Sequence, residues 1–467
     1  MARRNKIGTI GELKASGYQP VSLREEMRRN LLAMITEEKD IFPGIIGYDD
    51  TVIPQIENAI ISGQDIIFLG ERGQAKSRIM RLLVNLLDEE LPVIEGCEIN
   101  DSPFDPICKG CRDKVAKEGD ATKIAWLPRE ERYGEKLATP DIAITDLIGD
   151  VDPIKVAEGR YLSDELTIHY GLVPRTNRGI FCINELPDLA ERLQVGLFNL
   201  MEERDVQIRG YRIRLPLDIL LVASANPEDY TNRGRIITPL KDRYGAQVRT
   251  HYPTTIEDEI AIMEMERQQF SDDKLETYIP QYMKEIIAEV THLGRKSPDI
   301  NQRSGVSVRV SIANYETILG NAVRRAVRLG EKCAVPRISD LPYIHSSTTG
   351  KIELESFEET KEEKAIDDLI KRAVLNVFNR YYKAHNLEDL VAQFSGGFSV
   401  EVSDTMNAKS YVRNVKEMVG LADVIKVVGD SERPESIASA VEFVLEGLHL
   451  NRRLNKTQSE GKTVYRR

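Results

Sequence analysis

Long apolar runs are missing from this 467-residue chain. No stretch reaches the roughly 18 consecutive apolar residues that a membrane-crossing helix needs, so a spanning helix is not expected. Cysteine is scarce: five residues, an odd number in a long chain, do not form a disulfide framework and fit a reducing compartment. The six histidines are scattered, none paired at the i, i+4 spacing of a zinc-binding helix, and no Ser-His-Asp arrangement is visible. Basic excess is absent too. A net charge of −11 and a pI near 5.4 argue against the broad positive face of a nucleic-acid binder, leaving only local basic clusters. The opening MARRNKIGTIGELKASGY carries positive charge but no apolar core of a signal peptide. These absences describe a soluble cytoplasmic protein without a membrane span.

What is present is enough apolar residue, 41% of the chain, for two or three ordinary domains. Residues 1–45 have apolar positions at helical spacing. From 46 to 253, short apolar runs such as DIIFLG, GIFCINE and DILLVASAN alternate with helical stretches, the rhythm of a parallel α/β sheet covered on both faces. A cysteine-containing insertion is expected at 92–140. After HYP at 251–253 helices dominate, with a helical domain over 254–350 and a helical C-terminal extension over 351–450. The tail 451–467 holds Arg452, Arg453, Lys456, Lys462, Arg466 and Arg467 against Glu460, and a short charged terminus of this kind is expected to be disordered. No internal repeat is present.

The stretch GERGQAKSR, residues 70–78, follows the run DIIFLG. It matches a phosphate-binding loop at every position except one, where Ala75 replaces glycine. Such a loop aims backbone N–H groups at phosphate oxygens, sets a lysine beside the β and γ phosphates and offers a hydroxyl to Mg²⁺. Gly70, Gly73, Gln74, Ala75, Lys76, Ser77 and Arg78 are therefore the candidate nucleotide-binding residues. Ala75 is tolerable there if its φ is negative and strained if it is positive. An accidental glycine-rich strand-to-helix turn is the bland alternative. About a hundred residues on, an apolar strand ends in Asn184 and Glu185, where ATPases with this loop carry an acidic pair. A further apolar strand ends in Asn226, and ligands bind at the carboxyl ends of parallel strands. Three polar strand ends in this order make coincidence a poor account.

On these motifs, the region from about 43 to 330 resembles the AAA+ ATPase module of the magnesium-chelatase small-subunit and MoxR-type group. FPGIIGYDD resembles the segment before the first helix, LATPDIAITDLIGDVD and GLVPRTNRGIFCINELPDL the flanks of a helix-two insertion, and VQIRGYRIRLP the hairpin before the sensor strand. ITPLKDRYG resembles the arginine-finger segment, with Tyr244 in place of Phe, and SVRV the position of a second sensor arginine. The resemblance implies an AAA+ parallel-sheet domain with a helix-two insertion and an α-helical lid, using ATP and Mg²⁺. It assigns Lys76 to the phosphates, Ser77 and Asn184 to Mg²⁺, Glu185 to polarising the attacking water, Asn226 to a first sensor, Arg243 to a finger reaching a neighbouring subunit, and Arg309 to the lid. Arg233 and Arg235 compete with Arg243, and a plain surface charge is the alternative for Arg243 and Arg309. A finger acting in trans implies a homo-oligomeric ring, six subunits being the expectation, and the group implies a partner with a von Willebrand factor A domain.

Asn184 stands where the resemblance calls for aspartate. Its amide oxygen accepts a hydrogen bond from a metal-bound water but brings no formal charge. ATP binding with slow or partner-stimulated hydrolysis is the expectation.

In GCEINDSPFDPICKGCRDK, Cys97, Cys108 and Cys111 are spaced C-x10-C-x2-C. Zinc sites want four tetrahedral ligands, and Asp101, Asp105 or Asp113, or another segment, is open as the fourth. An iron–sulfur cluster equally needs a fourth ligand, and reduced free thiols are the bland reading. Cys182 reads as core, Cys333 has no partner pattern, and Trp126 reads as packing in the insertion.

Three functions are compatible with this sequence: a ring ATPase that remodels a partner protein, the ATPase subunit of a chelatase inserting Mg²⁺ or Co²⁺ into a tetrapyrrole, and a nucleotide-sensing scaffold without turnover. An enhancer-binding transcription activator is disfavoured by the missing Gly-Ala-Phe-Thr-Gly-Ala loop, and a helicase by the acidic balance.

Overall fold

The computed structural model describes residues 7–467 except 153, 155–164, 204, 208–213, 227–234, 270–274, 302–304, 354–358, 383–386, 430–431 and 460–461. The chain divides into two units, Met1–His251 and Tyr252–Arg467.

In the first unit the strands in chain order are β1 (Ile66–Leu69), β2 (Glu90–Ile94), β3 (Ile124–Pro128), β4 (Tyr133–Leu137), β5 (Gly149–Val151), β6 (Ile168–Tyr170), β7 (Gly179–Asn184), β8 (Asp205–Gln207), β9 (Arg214–Pro216), β10 (Ile219–Ala225) and β11 (Ala246–Arg249). Five of them form one sheet in the order β11-β1-β10-β7-β4, all neighbours parallel. This is a parallel α/β sheet, with β1, which leads into the loop 70–75, second in the order.

Side chains alternate across a strand, and both faces of this sheet are covered. Ile66 and Phe68 pack with Ile180, Cys182, Leu220 and Val248 in one apolar layer. Ile67 joins Phe181, Ile183, Leu221 and Ala223 in the other. Double burial explains why β1, β7 and β10 read as continuous apolar runs. Cys182, fully buried in the first layer, is a core residue.

Helix α1 (Ile10–Ala15) and helix α2 (Leu23–Thr36) precede the sheet, and Ser22 and Glu25 close a capping box at the start of α2, a local signal sufficient to fix where that helix begins. Helix α2 and helix α3 (Ile53–Ile61) cover the first layer. Glu26 of α2 forms a buried two-pronged pair with Arg132, 2.6 and 2.7 Å long, which ties α2 to the turn leading into β4.

The stretch expected as an insertion over 92–140 is two different things. β2 and β3 pair with each other, antiparallel, and enclose the cysteine segment and helix α5 (Lys109–Glu118). β4, in contrast, is an edge strand of the main sheet, because its residues pair in parallel with β7. Trp126 packs beside Ile10, Leu13 and Ile124 and donates to the Ile7 carbonyl at 3.0 Å. Two small hairpins, β5 with β6 and β8 with β9, flank β7 and precede β10. The middle of the segment resembling the sensor hairpin lies outside the described residues.

The second unit is built mainly of helices, among them Gln281–Gly294, Val308–Leu329, Glu359–Tyr381 and Pro434–Leu450, around one apolar core. A short parallel pair, β12 (Glu276–Thr277) and β13 (Cys333–Ala334), lies among them. The basic tail departs from expectation. Strands β15 (Asn455–Ser459) and β16 (Lys462–Arg466) form an antiparallel hairpin, and β16 also pairs with β14 (Val400–Val402). Buried Tyr465 donates to Glu446, and Lys456 pairs with the same carboxylate at 2.8 Å, so the tail's charge is partly neutralised inside the fold. Among the described residues no helix is long and apolar enough to cross a membrane.

Candidate nucleotide site

Between the end of β1 at Leu69 and the start of helix α4 (Lys76–Leu82), six residues turn the chain. Gly70 has no alternative. A Cβ there would stand 1.9 Å from Thr250 Oγ1 and 2.2 Å from Gln74 Oε1, distances no side chain survives. Gln74 is buried, and its Oε1 accepts from the Glu71 N–H at 3.0 Å and from Thr250 Oγ1 at 2.7 Å. Its side chain thus shapes the loop and does not face outward. The Tyr48 hydroxyl donates to the Gln74 carbonyl at 3.1 Å and to the His251 carbonyl at 2.6 Å, closing the loop from the other side.

Gly73 has φ 75°, as glycine permits. Ala75 has φ 56° and ψ 9°, the left-handed region that costs a residue with a Cβ about 1–2 kcal/mol. The loop therefore keeps the backbone a glycine would have, at an energetic cost. Lys76 is buried, its ammonium held by the carbonyls of Gly70 and, at 2.8 Å, Glu71. Ser77 is exposed and Arg78 half-buried.

Three neighbouring strand ends meet this loop. Leu69 is level with Ala225 of β10, and Ala223 of β10 with Ile183 of β7, so Asn184, Glu185 and Asn226 emerge on the same edge as Lys76 and Ser77. Asn184 Oδ1 accepts from Ser77 Oγ at 3.4 Å and from Ser224 Oγ at 3.2 Å. Its Nδ2 donates to Glu135 on β4. The Glu135 carboxylate is also gripped by Arg81 of α4 at 2.9 and 3.1 Å and by the Tyr133 hydroxyl at 3.2 Å. Burial pushes this carboxyl up, but the hydrogen bonds and charge of Arg81, with Tyr133 and Asn184, outweigh it and hold it below its ordinary value. Glu185 has φ 54° and ψ 49°, and its N–H donates to Ser224 Oγ at 3.2 Å. A non-glycine residue in this region is held there by its surroundings, a pattern concentrated at functional sites. Asn226 is 3% exposed, and its Oδ1 is buried without a hydrogen-bond partner among the described residues, a cost that a bound ligand or water removes.

Beside the loop lies a pocket of about 290 Å³ lined by Leu69, Gly70, Glu71, Gln74, Lys241, Arg249 and Thr250. Two of these are exposed cations, suited to an anionic ligand. Arg243 is not gathered here. It ends the helix Thr238–Arg243, donates to the Pro239 carbonyl at 3.2 Å, and precedes β11, whose first residue Ala246 is level with Ile66. Lys241 of the same helix does line the pocket. Arg309 is exposed at the start of the helix Val308–Leu329 in the second unit. Arg235 is exposed, and Arg233 lies outside the described residues. Glu135, Ser224 and Thr250 are site residues that sequence reasoning missed; none belongs to a motif, and only the strand pairing brings them in.

The cysteine segment closes on itself. The sulfurs of Cys97, Cys108 and Cys111 and a carboxylate oxygen of Asp101 all lie within 4.8 Å of one another. Asp105 and Asp113, the other carboxylates open as fourth ligands, are exposed.

No protein-family model matches the chain. It is 27% identical over 281 residues to the magnesium-chelatase subunit ChlI of a Nostoc species, an alignment covering 58% of this chain and 70% of that one. It is 29% identical over 261 residues to the chloroplastic subunit ChlI-2 of Arabidopsis thaliana, covering 52% and 56%. It is 27% identical over 235 residues to a ChlI homologue of Methanocaldococcus jannaschii, covering 48% and 58%. The chain thus spans little more than half the length of the latter two.

Proposed function

We propose that this ChlI-like AAA+ chain binds ATP at the loop 70–78 and hydrolyses it, slowly or on stimulation, to remodel a partner protein. The observation that carries this reading is the convergence of Lys76, Ser77, Asn184, Glu185 and Asn226 on one sheet edge, beside a loop whose backbone keeps a left-handed turn at Ala75.

Lys76 exchanges its loop carbonyls for the β and γ phosphates, and the loop N–H groups donate to the remaining phosphate oxygens. Ser77 and Asn184 are the residues that would hold Mg²⁺, whose chemistry there is to neutralise the phosphates. Two neutral oxygens already oriented toward each other fit a hard cation that keeps most of its water shell. The carboxylate of Glu135, one hydrogen bond behind Asn184, supplies negative charge that Asn184 itself lacks. Glu185 polarises the attacking water, and Asn226 offers an oxygen with no other partner among the described residues to that water or the γ-phosphate. Arg243, by the resemblance, serves the site of a neighbouring copy; a ring, six-membered by family resemblance, follows from that role. Arg309 reports nucleotide state through the helical unit. A von Willebrand factor A partner enters from the resemblance.

The test is steady-state ATP hydrolysis by the full chain beside the Glu185→Gln and Lys76→Ala variants. Turnover that both substitutions abolish supports the reading; turnover indifferent to both overturns it. Two further readings have an observation each. The names of the relatives favour a chelatase subunit, which metal insertion into a tetrapyrrole, reconstituted with companion subunits, would reveal. The uncharged Asn184 favours a nucleotide-sensing scaffold, which nucleotide binding without turnover would reveal.

A further inference from the structure

We propose that Cys97, Cys108, Cys111 and Asp101 form a four-coordinate zinc site that fastens the β2–β3 insertion to the body of the first unit. This does not rest on the nucleotide reading.

The first argument is distance. Ligands bound tetrahedrally at about 2.3 Å stand roughly 3.8 Å apart. The four atoms here lie within 4.8 Å of one another, so closing on an ion asks for movements of about 1 Å or less. An iron–sulfur cluster interposes a cage of iron and sulfide and needs its cysteine sulfurs much further apart, which disfavours it here.

The second argument is charge. Asp101 is 0% exposed, and among the described residues its Oδ1 has no hydrogen-bond partner and no cationic side chain pairs with it. A buried carboxylate facing three thiols is costly unless a cation joins them. Its other oxygen is already aimed, accepting from the Cys108 N–H at 3.0 Å.

The third argument is preparation of the sulfurs. Cys97 Sγ accepts from the N–H groups of Ile99 and Asp101, both at 3.4 Å, and Cys108 Sγ from the N–H of Cys111 at 3.3 Å. Backbone donors aimed at sulfur stabilise thiolate and fix its direction, as outer partners do for metal ligands. Asn100, between the two ligands Cys97 and Cys108 and next to Asp101, has φ 54°, a turn that brings Asp101 back onto Cys97. Three thiolates and one carboxylate select zinc over hard cations.

The location gives the ion its work. Asn100 Nδ2 donates to the Arg175 carbonyl at 2.8 Å, Asn177 Nδ2 to the Ile99 carbonyl at 3.0 Å, and Arg178 to the Pro92 carbonyl at 2.8 Å. The cysteine loop is therefore bonded to residues 175–178, which lead directly into β7 and its end at Asn184 and Glu185.

Elemental analysis of the purified full chain, with cobalt substitution as a second probe, tests this. About one zinc per chain is expected, and Co²⁺ should give the intense visible bands of a tetrahedral thiolate site. Cys333→Ala should retain the metal, while Asp101→Asn should weaken Zn²⁺ affinity at least about tenfold. Cys108→Ser should lose it, and because loss of folding would give the same result there, Asp101→Asn carries the test. A chain without zinc that gives no thiolate–cobalt bands overturns the proposal, as does iron with acid-labile sulfide, or zinc affinity indifferent to Asp101→Asn.

Discussion

The two units differ in the kind of buried polar atom left without a partner among the described residues: two acceptor oxygens in the first, but nitrogens of Arg267, His292, Asn314, Arg325 and Arg337 and the hydroxyls of Ser339 and Ser436 in the second. In the second, buried charges are closed into pairs: Glu259 takes both prongs of Arg295 at 2.8 and 3.0 Å, Arg337 meets Glu331 at 2.7 Å, and Arg325 meets Asp340. The first has a closed pair too, Glu26 with Arg132, but its Asp101 Oδ1 and Asn226 Oδ1 are the buried carboxylate and amide oxygens without partners among the described residues, and each lies in a candidate site. Backbone strain divides the same way. Of six non-glycine residues with left-handed backbone among the described residues, Arg452 alone belongs to the second unit, and Ala75, Asn100 and Glu185 lie at the two sites. Closed pairs specify a fold, whereas open acceptors held by strained backbone await a ligand.

The comparison breaks most readily at Arg243. If it acts on a neighbouring copy, Arg243→Ala lowers ATP turnover of the assembled protein by roughly 10³–10⁵, and mixing with the Lys76→Ala chain restores part of it. Glu185→Gln lowers turnover by roughly 10²–10⁴ with nucleotide affinity kept, measured by hydrolysis beside equilibrium binding. On the structural side, Glu26→Gln strands Arg132 in the core and costs about 3–5 kcal/mol, read from denaturant unfolding; a loss this large with a working nucleotide site would sharpen the division between closed pairs and open sites. Exchanging the polar pair, Asn184→Asp with Glu135→Gln, moves the negative charge next to the ion and lowers the half-saturating Mg²⁺ about tenfold. Ala75→Gly relieves the left-handed alanine and raises stability by about 1 kcal/mol, without loss of nucleotide affinity.

The parallel sheet was legible because double burial writes continuous apolar runs such as IIFL and ILLVASA into the chain, and the loop was legible because phosphate chemistry restricts its residues. The conformation of Ala75 was not, since a left-handed alanine is recorded only in backbone geometry. Glu135 was invisible for a different reason: it has no motif and enters through the pairing of β4 with β7. Choosing Asp101 over Asp105 and Asp113 required the turn at Asn100. The tail was misread from composition. Charge count concealed the alternation of Thr463 and Tyr465, and the latter is buried against Glu446.

Calorimetric titration of ATP with Mg²⁺ into the full chain tests the central claim most directly. Saturable binding at one site per chain, lost in Lys76→Ala, is the expected result; no binding, or binding that survives that substitution, contradicts it.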